Sequence, residues 1–386
     1  MALDVQGTDY LKLPVGTTAQ RPAAPTTGMT RMNSTTGVPE WYDTVSGTWV
    51  QFINSSNIFS YKNRIINGCM RISQRNTTSS VTPINNQYVL DRWSFGVSQA
   101  SKLTTQQYTG PAFYGCANYK NIASTSAYSI AASDYFYMFQ PIEGYNIADF
   151  AWGTAAAKTV TLSALVYSSV LTGTFGGSII NPAANRSYPF TYTIPVAGVW
   201  TQISITIPGD TVGTWGTGTG IGLYVIFSFG SGSTYSAPAG AWASANYSSA
   251  IGANSLVGTS GTYMNISNIQ LEISPFATQF EFRSIDRELT LCERYCQWVP
   301  FSMGFTAGAA GQAVYTPVSF RTDMRVAATM SSLSADPATA QSQSNVTTNA
   351  FNSTYTTTTG TIGYVTSTGS GYSYTFGYRS LATAEL

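Results

Sequence analysis

The sequence predicts an all-β fold, and both its composition and its residue pattern indicate this. Of 386 residues, 35 are glycine and 25 are tyrosine, while only 9% are charged. Such a composition suits β-strands joined by tight turns and is poor material for helical bundles. Apolar and polar residues also alternate over several long stretches, as in strands with one buried face. We therefore expect a small N-terminal β-meander, a central antiparallel jelly-roll sandwich, one connecting helix and a small C-terminal β-domain.

The first predicted unit comprises residues 1–52. Three prolines lie between Leu13 and Pro25, so this spacer is extended and cannot be helical. Short strands are predicted at 29–33, 38–43 and 48–52, with glycine-containing turns between them. Trp41 and Trp49 would supply most of the apolar area, which is too little for a self-sufficient core. This unit should therefore dock on the rest of the chain, on copies of itself or on a larger particle.

Residues 53–64 are predicted to be a linker, and residues 65–283 are predicted to form the sandwich. Strands are expected at 160–167, 200–207, 223–229 and 263–273. In the second of these strands, Ile203, Ile205 and Ile207 share one face. Trp93 and Trp200 are assigned to the core. No amphipathic helices separate the strands, which argues against an α/β fold.

The one predicted helix covers residues 284–299. Ser284 can cap its N-terminus, and Pro300 would end it. Its apolar face would be formed by Ile285, Leu289, Cys292 and Cys296. The acidic residues Asp286, Glu288 and Glu293 are interpreted as a solvated face that complements the helix dipole. Residues 300–386, with weak alternation at 361–366 and 372–378, are predicted to form the C-terminal β-domain.

The charge balance and the absence of histidine exclude several classes of function. With 18 Lys and Arg against 17 Asp and Glu, the chain lacks the basic excess of proteins that bind duplex nucleic acid or attach electrostatically to membranes. Because histidine is absent, neither Ser-His-Asp nor Cys-His catalysis can be assembled, nor a His-ligated zinc or iron site. Each apolar stretch is strand-sized, so no membrane insertion is expected.

The four cysteines are Cys69, Cys116, Cys292 and Cys296, a low density for a disulfide-stapled secreted domain. On one helix, Cys292 and Cys296 would have Cβ atoms about 5–6 Å apart, too far for a relaxed bridge. All four are therefore expected to be free thiols. The first residues contain neither a basic region nor an apolar run of signal-peptide length. We expect synthesis in a cytosol and no export by a signal peptide.

Several motifs resemble parts of bacteriophage tail fibres. The first unit contains LPVGTTAQRP at 13–22 and GMTRMNSTTG at 28–37, which resemble a small module near the N-termini of tail-fibre and tail-associated proteins. The sandwich region contains INGCMRISQR at 66–75, DRW at 91–93, QPIEG at 140–144, ITIPGD at 205–210 and IQLEI at 269–273. As an ordered set these runs are similar to a jelly-roll module of tail fibres that is related to carbohydrate-binding modules. The end of the sandwich and the following helix resemble the end of that module.

The resemblance implies a phage tail fibre that attaches to the virion by its N-terminus and binds a host-surface glycan non-covalently. Leu13, Arg21, Trp41 and Trp49 are the residues expected at the virion contact. The implied partners are copies of the chain in a homotrimer, a tail or baseplate protein, and a host polysaccharide or lipopolysaccharide. The protein would be made in the host cytosol and located in the virion.

No cofactor is expected from the sequence. A structural calcium ion is typical of related sugar-binding jelly rolls, and the residues permit it without indicating it. Cys69 departs from the resembling module, which often carries an acidic residue at this place.

Aromatic residues in turn-rich segments are the candidate glycan-binding residues, because flat rings stack on pyranose faces. The candidates are Trp215, Tyr235, Trp242 and Tyr247 in the sandwich, and Tyr364, Tyr372, Tyr374 and Tyr378 near the C-terminus. For each tryptophan, packing at the end of the core or at a loop base is the alternative. Strand alternation would place Tyr372, Tyr374 and Tyr378 on one face, which suits a subunit interface equally well.

Two other functions stay open at this point. A purely structural virion component, such as a tail or collar adaptor, would bind other virion proteins through the same sandwich. A tailspike-type enzyme that cleaves glycans would need two facing carboxylates, about 5–5.5 Å apart if retaining and about 6.5–9.5 Å apart if inverting. Asp134, Glu143 and Asp149 are the candidates for that pair. The alternative places Asp134 in a turn and Glu143 in a strand-end network with an arginine, and we expect no enzyme activity.

Overall fold

The computed structural model describes residues 12–44, 47–51, 61–76, 78–335, 342–344, 346–352 and 355–386. In these ranges the chain is almost entirely β, and the predicted all-β class is confirmed. Short 3₁₀ turns lie at Thr18–Gln20, Gly144–Asn146, Ala148–Phe150 and Ser233–Tyr235. The described part of the chain holds no helix that is long and apolar enough to cross a membrane. Most of the predicted linker and the first 11 residues lie outside the described residues.

The N-terminal sheet has four strands, β1 (Val15–Gly16), β2 (Thr30–Asn33), β3 (Val38–Asp43) and β4 (Thr48–Gln51). Its centre is polar. The Glu40 carboxylate is fully buried and accepts hydrogen bonds from Arg21 at 2.7 Å and Asn33 at 2.9 Å. Burial alone would raise the pKa of Glu40, but these hydrogen bonds and the charges of Arg21 and Arg31 outweigh it and lower the pKa. An ion-pair network therefore occupies the place of a core in this sheet.

The sandwich follows, and its strands are β5 (Gln87–Leu90), β6 (Trp93–Val97), β7 (Leu103–Phe113), β8 (Cys116–Ser124), β9 (Tyr135–Glu143), β10 (Val160–Ser168), β11 (Gly173–Ile180), β12 (Ser187–Ile194), β13 (Thr201–Ile207), β14 (Ile221–Ser231), β15 (Ser236–Ala237), β16 (Ser249–Ala250) and β17 (Tyr263–Glu272). One sheet has the order β13-β10-β17-β8-β7 and the other β12-β11-β14-β9-β6-β5, while β15 and β16 form a separate two-stranded parallel sheet. All strand pairs within the five-stranded and six-stranded sheets are antiparallel.

The core lies between these two sheets, where alternate residues of each strand meet. The five-stranded sheet contributes residues such as Leu162 and Ile205, and the six-stranded sheet contributes residues such as Phe136 and Phe227. Trp93 is fully buried in this core, as expected, and its indole N–H donates to the carbonyl of Asn67 at 3.1 Å. Each such side chain contributes about 1.5–3 kcal/mol by burial, so this cluster is the main source of stability.

Cys69 and Cys116 form a disulfide, with their Cα atoms 5.4 Å apart. The bond ties the segment before β5 to the first residue of β8. Cys292 and Cys296 are buried and free. The expectation of four free thiols is therefore wrong for one pair, because partners separated by 47 residues have no spacing signal in the sequence.

The C-terminal strands form two small sheets. They are β18 (Cys296–Ala307), β19 (Ala313–Ser319), β20 (Thr329–Met330), β21 (Ser334–Ala335), β22 (Ser342–Ser344), β23 (Val346–Asn352), β24 (Gly360–Ser367) and β25 (Gly371–Thr383). In one sheet β25 pairs with β18, β20, β21 and β22, and in the other β24 lies between β19 and β23.

A bulge in β25 changes which side chains share a face. Tyr378 pairs with Phe301, but Thr375 pairs with Met303, so β25 contains one residue more than β18 over this stretch. Gly377 takes a φ of 76° there, which glycine adopts without strain. Tyr378 is consequently turned to the face opposite Tyr372 and Tyr374, and the predicted common face for all three is wrong.

The α-helix, α1, spans Ile285–Glu293 and is shorter than the predicted 284–299. The chain enters β18 at Cys296 because this stretch pairs with β25 over its whole length, and that pairing overrides the helical spacing of the cysteines. Pro300 does not end the helix; it lies in β18, an edge strand, where proline is tolerated.

The predicted solvated acidic face is also wrong for two of its three residues. Glu288 and Glu293 are buried, each with an arginine guanidinium within 4 Å, whereas Asp286 is exposed.

The residues after β25 pack against the sandwich. The Glu385 carboxylate forms ion pairs with Arg75, at 2.8 Å, and with Arg92. The Arg92 side chain is 1% exposed, donates to the carbonyl of Pro141 at 2.5 Å and lies over the ring of Tyr295. This contact joins the residues that follow the last strand to the first part of the sandwich.

Candidate functional site

The outward face of the five-stranded sheet carries rings and amides at neighbouring positions. Leu162 and Val166 of β10 point into the core, so Tyr167 points outward. The same alternation turns six further side chains outward: Gln106 and Tyr108 of β7, Tyr119 and Asn121 of β8, and Tyr263 and Asn265 of β17.

Three of these side chains form a row across neighbouring strands, which we call the amide track: Asn265, Asn121 and Gln106. Asn265 pairs with Asn121, and Asn121 pairs with Gln106, so the amides repeat at the strand spacing of about 4.8 Å. Asn121 Nδ2 donates to Asn265 Oδ1 at 2.7 Å, and Gln106 Nε2 donates to the carbonyl of Thr78 at 2.7 Å. These bonds orient the amides. Asn265 is 6% exposed and forms the floor of the track.

Five rings surround the amide track and are called the ring border: Tyr108, Tyr119, Tyr167, Trp200 and Tyr263. Tyr108 stacks on Tyr119 with centroids 5.9 Å apart and planes 18° from parallel, and Tyr167 stacks on Tyr263 at 6.0 Å and 16°. Trp200 lies 5.5 Å from Tyr119 and 5.7 Å from Tyr167, and so links the two pairs. Tyr119 and Tyr263 lie two residues from Asn121 and Asn265 along their strands, on opposite sides of the track.

The ring border and its surroundings are uncharged at neutral pH. Burial raises the pKa of the Tyr119 phenol, and a hydrogen bond with Tyr167 raises that of Tyr263. Both phenols therefore keep their protons and can donate hydrogen bonds. The outward positions next to the border are also uncharged: Thr104, Ala123, Leu165, Gln202 and Ser267.

A cavity of about 180 Å³ adjoins the ring border. Its lining includes Tyr114, Gln202 and Asn268. The Tyr114 hydroxyl lies 3.5 Å from Gln202 Oε1. Phe113, the residue before Tyr114, packs on Trp200 with ring centroids 5.4 Å apart, so the cavity lies next to the ring border.

The predicted loop tryptophans lie elsewhere. Trp215 is 7% exposed, and its indole N–H donates to Asp210 Oδ2 at 3.2 Å. Trp242 is half-buried and donates to the carbonyl of Pro208 at 2.8 Å. The two rings lie 5.4 Å apart, and both contact Trp152. The expectation that Trp215 is exposed is wrong, because its loop folds back into a three-tryptophan cluster.

Tyr235 and Tyr247 are associated with the six-stranded sheet. Tyr235 packs edge-on against Tyr135 at the start of β9, with centroids 5.3 Å apart. Tyr247 is half-buried, and its backbone N–H lies 3.3 Å from Ser187 Oγ in β12. The structure does not bring these two tyrosines to the amide track, and their glycan-binding role stays a prediction.

The four C-terminal tyrosines are divided among different surfaces. Tyr364 pairs with Tyr315 across β19 and β24, with centroids 5.6 Å apart. Tyr372 and Tyr374 line an open cavity of about 540 Å³. Tyr378 lies on the other face of β25 beside Phe301.

Each of the three candidate carboxylates has its own hydrogen-bond or ion-pair partners. Asp134 precedes β9 and accepts hydrogen bonds in its own turn from Ala131 N and the Tyr128 hydroxyl. Glu143 is the last residue of β9, and nine residues of extended chain separate it from Asp134 by about 30 Å. Its carboxylate accepts a bidentate pair of hydrogen bonds from the Arg294 guanidinium. Asp149 pairs with Arg64 at 2.7 Å. Among the described residues, no three Cys, Asp or Glu side chains could hold a metal ion together.

The residues expected at the virion contact have mixed environments. Arg21 is engaged with the buried Glu40, which gives it a structural role. Leu13 and Trp41 are half-buried. Trp49 helps to line a cavity of about 550 Å³ in the N-terminal sheet. Attachment through this surface stays a prediction.

The sequence predictions include no residue of the amide track or the ring border as a binding residue. They assign Trp200 to the core, which is wrong, since Trp200 is half-buried on the outward face. The signal for the correct assignment is strand parity, the alternation of successive side chains between the two faces of a strand. Because Ile203, Ile205 and Ile207 are buried, Trp200 and Gln202 lie on the opposite face.

No protein-family model matches the chain, and no curated protein matches it. Similar solved structures include the enzymatically active domain of tailspike protein 4 of bacteriophage CBA120, with 12% identity and a TM-score of 0.31 over 55% of this chain and 22% of that one. A family 11 carbohydrate-binding module from Clostridium thermocellum, in complex with a mixed-linked tetrasaccharide, has 14% identity and a TM-score of 0.27 over 51% of this chain and 98% of the module.

A third similar structure is the CBM22-1–GH10 part of xylanase 10B from Clostridium thermocellum, in complex with xylohexaose. It has 11% identity and a TM-score of 0.27 over 54% of this chain and 30% of that one.

Proposed function

We propose that this chain is a glycan-binding protein that holds a neutral polysaccharide on the amide track and the ring border, without cleaving it. The observation that supports this most directly is the row of three amides across β17, β8 and β7 with tyrosines on both sides. Amides can donate to and accept from sugar hydroxyls, and ring faces can cover the apolar faces of sugar rings.

The absence of charge around the track supports a neutral ligand. An acidic polysaccharide would find no cation among the track, the border and the outward positions next to them. Stacking and neutral hydrogen bonds are screened little by salt. We therefore propose that affinity for the glycan stays nearly the same between low and high ionic strength.

The biological setting that we propose is a phage tail fibre, located in the virion, that binds a glycan on the host surface. This setting rests on the resemblance of residues 13–75 and of the later sandwich motifs to tail-fibre modules. A structural adaptor would instead bury the track under another virion protein. The separation of Asp134 from Glu143 along β9 supports binding rather than glycan cleavage.

The experiment is a glycan-binding measurement with matched variants. The purified chain is first applied to an array of neutral and acidic oligosaccharides, and a retained oligosaccharide is then titrated by calorimetry. Trp200→Ala and Tyr119→Ala should each weaken binding about tenfold, the equivalent of about 1.4 kcal/mol, because each removes a ring of the border.

The control is Tyr224→Ala, which removes a half-buried tyrosine from the outward face of the six-stranded sheet. It should leave the affinity unchanged. Retention of no oligosaccharide, or equal loss of affinity in the control and the border variants, would overturn the proposed function.

A further inference from the structure

Strand β17 contains a β-bulge beside the cavity that adjoins the ring border. Ser163 of β10 pairs with Gln270, and Leu165 pairs with Ser267, so β17 contains one residue more than β10 between these pairs. Asn268 lies in this bulge with a φ of 52°, a conformation that is uncommon for a residue other than glycine. Bulges re-aim side chains, and asparagine adopts this left-handed conformation more readily than most residues other than glycine.

The side chain of Asn268 has an unused acceptor. Its Nδ2 donates to the carbonyl of Phe113 at 3.0 Å, while its Oδ1 is buried without a hydrogen-bond partner. Asn268 as a whole is 4% exposed. Exchanging the two amide atoms would set Oδ1 against the Phe113 carbonyl, so no reorientation satisfies both atoms. A buried acceptor without a donor costs free energy and requires an explanation.

The cavity that Asn268 helps to line is uncharged and polar on several sides. Hydroxyl and amide groups come from Ser163, Gln202, Thr278 and Gln279. Its volume of about 180 Å³ corresponds to roughly six water molecules, which gives room for a compact polar group the size of one sugar ring.

Two charged side chains of opposite sign bond to Thr278, which lines the cavity. The Lys62 ammonium donates to Thr278 Oγ1 at 2.5 Å, and the Glu272 carboxylate accepts from the same hydroxyl at 2.6 Å. The two opposite charges meet at this one hydroxyl, so an anion in the cavity would face the Asn268 oxygen without a net positive charge to offset its burial. A hydroxyl group, by contrast, supplies the donor that Oδ1 lacks.

We propose that this cavity binds one uncharged sugar residue of the glycan on the amide track, and that a hydroxyl of this residue donates to Asn268 Oδ1. The proposal rests on the proposed function and adds a specificity to it. At this position the protein selects a neutral sugar over a uronic acid, because a carboxylate would find no net positive charge and would face an acceptor.

The test uses the full chain and the oligosaccharide retained on the array. Asn268→Gly removes the acceptor and tolerates the positive φ, and Ala277→Leu places bulk at the cavity wall without altering Asn268. Each variant should weaken binding about tenfold. Oxidation of the oligosaccharide to its C6 carboxylate should weaken its binding to the unaltered protein by about tenfold or more.

Matched controls are Asn86→Gly, an exposed asparagine with a φ of 61°, and Ala155→Leu, an exposed alanine. Both should bind like the unaltered protein, and thermal unfolding confirms that every variant folds. If Trp200→Ala weakens binding but Asn268→Gly and Ala277→Leu do not, the cavity holds only water and this proposal is overturned while the proposed function stands. Equal binding of the oxidised oligosaccharide overturns the specificity. If the array retains nothing, both proposals fail.

Discussion

Asp91 is a carboxyl group buried at the junction of the sandwich with the end of the chain. It is 0% exposed and accepts hydrogen bonds from Gln74 through the backbone N–H at 2.7 Å and through Nε2 at 2.8 Å. Burial raises the pKa of Asp91 to about 6, although the charge of Arg75 and the bonds from Gln74 act in the opposite direction. The negative charge of Glu385 adds to the increase.

We expect this carboxyl group to make the protein less stable as the pH rises from about 4 to about 6. Between the usual pKa of about 3.9 and the raised value, the folded chain keeps a proton that the unfolded chain has released. The free energy of unfolding should fall by about 3 kcal/mol at most across this window. Denaturant unfolding at several pH values measures the change, and Asp91→Asn should remove it. Parallel pH profiles for the two proteins would contradict the assignment.

Tryptophan residues show what the sequence can and cannot establish at the scale of single residues. The alternation that buries Ile203 and Ile205 was sufficient to place Trp200 on the outward face. Trp215 has no such signal, since its position depends on contacts with Trp152 and Trp242, which are 63 and 27 residues away in the chain. Strand parity was therefore a better guide to exposed rings than the turn-rich context.

Strands with strict alternation could be predicted closely, whereas departures from regular geometry could not. The predicted strand 160–167 corresponds to Val160–Ser168, and 263–273 corresponds to Tyr263–Glu272. The predicted helix extends beyond the observed end at Glu293, because the start of β18 is specified by its pairing with β25. In the sequence, the bulge at Asn268 shows only as a change in which positions are apolar and buried. They are even-numbered before the bulge, at Met264 and Ile266, and odd-numbered after it, at Ile269 and Leu271.

The disulfide between Cys69 and Cys116 gives a prediction for the thiol count. Under denaturing, non-reducing conditions, two thiols should react and not four, since Cys292 and Cys296 are free. A chain-entropy estimate for a link across 47 residues gives about 4 kcal/mol of stabilisation. Reduction should lower the free energy of unfolding by that order, and it should have no effect on a Cys69→Ser, Cys116→Ser double variant. Four reactive thiols in the unreduced protein would refute the bond.

Considered as a whole molecule, the protein has one large apolar core and a small polar unit at its N-terminal side. In the N-terminal sheet, Glu40, Asn33 and Arg31 are buried, with Val38 as the buried aliphatic residue among the described positions. A sheet of this size with so little apolar burial is marginal by itself. Association with other chains would supply the missing burial.

We propose, on the resemblance to tail fibres, that the chain assembles as a homotrimer, and we expect sedimentation to show three chains per particle. A trimer would present three amide tracks, and three weak sites on one particle bind a surface far more firmly than one. Binding of the intact assembly to an immobilised glycan should therefore be tighter than the single-site calorimetric affinity, by about a hundredfold or more. A folded monomer at micromolar concentration would contradict the assembly.

The ion pair between Arg92 and Glu385 has a consequence for the order of events during synthesis. The two residues are 293 positions apart in the chain. At about 5–20 residues per second, roughly 15–60 s separate their emergence from the ribosome. For that time the sandwich of a nascent chain holds a guanidinium whose carboxylate partner has not yet been made. The strands translated early are thus completed by the residues translated late.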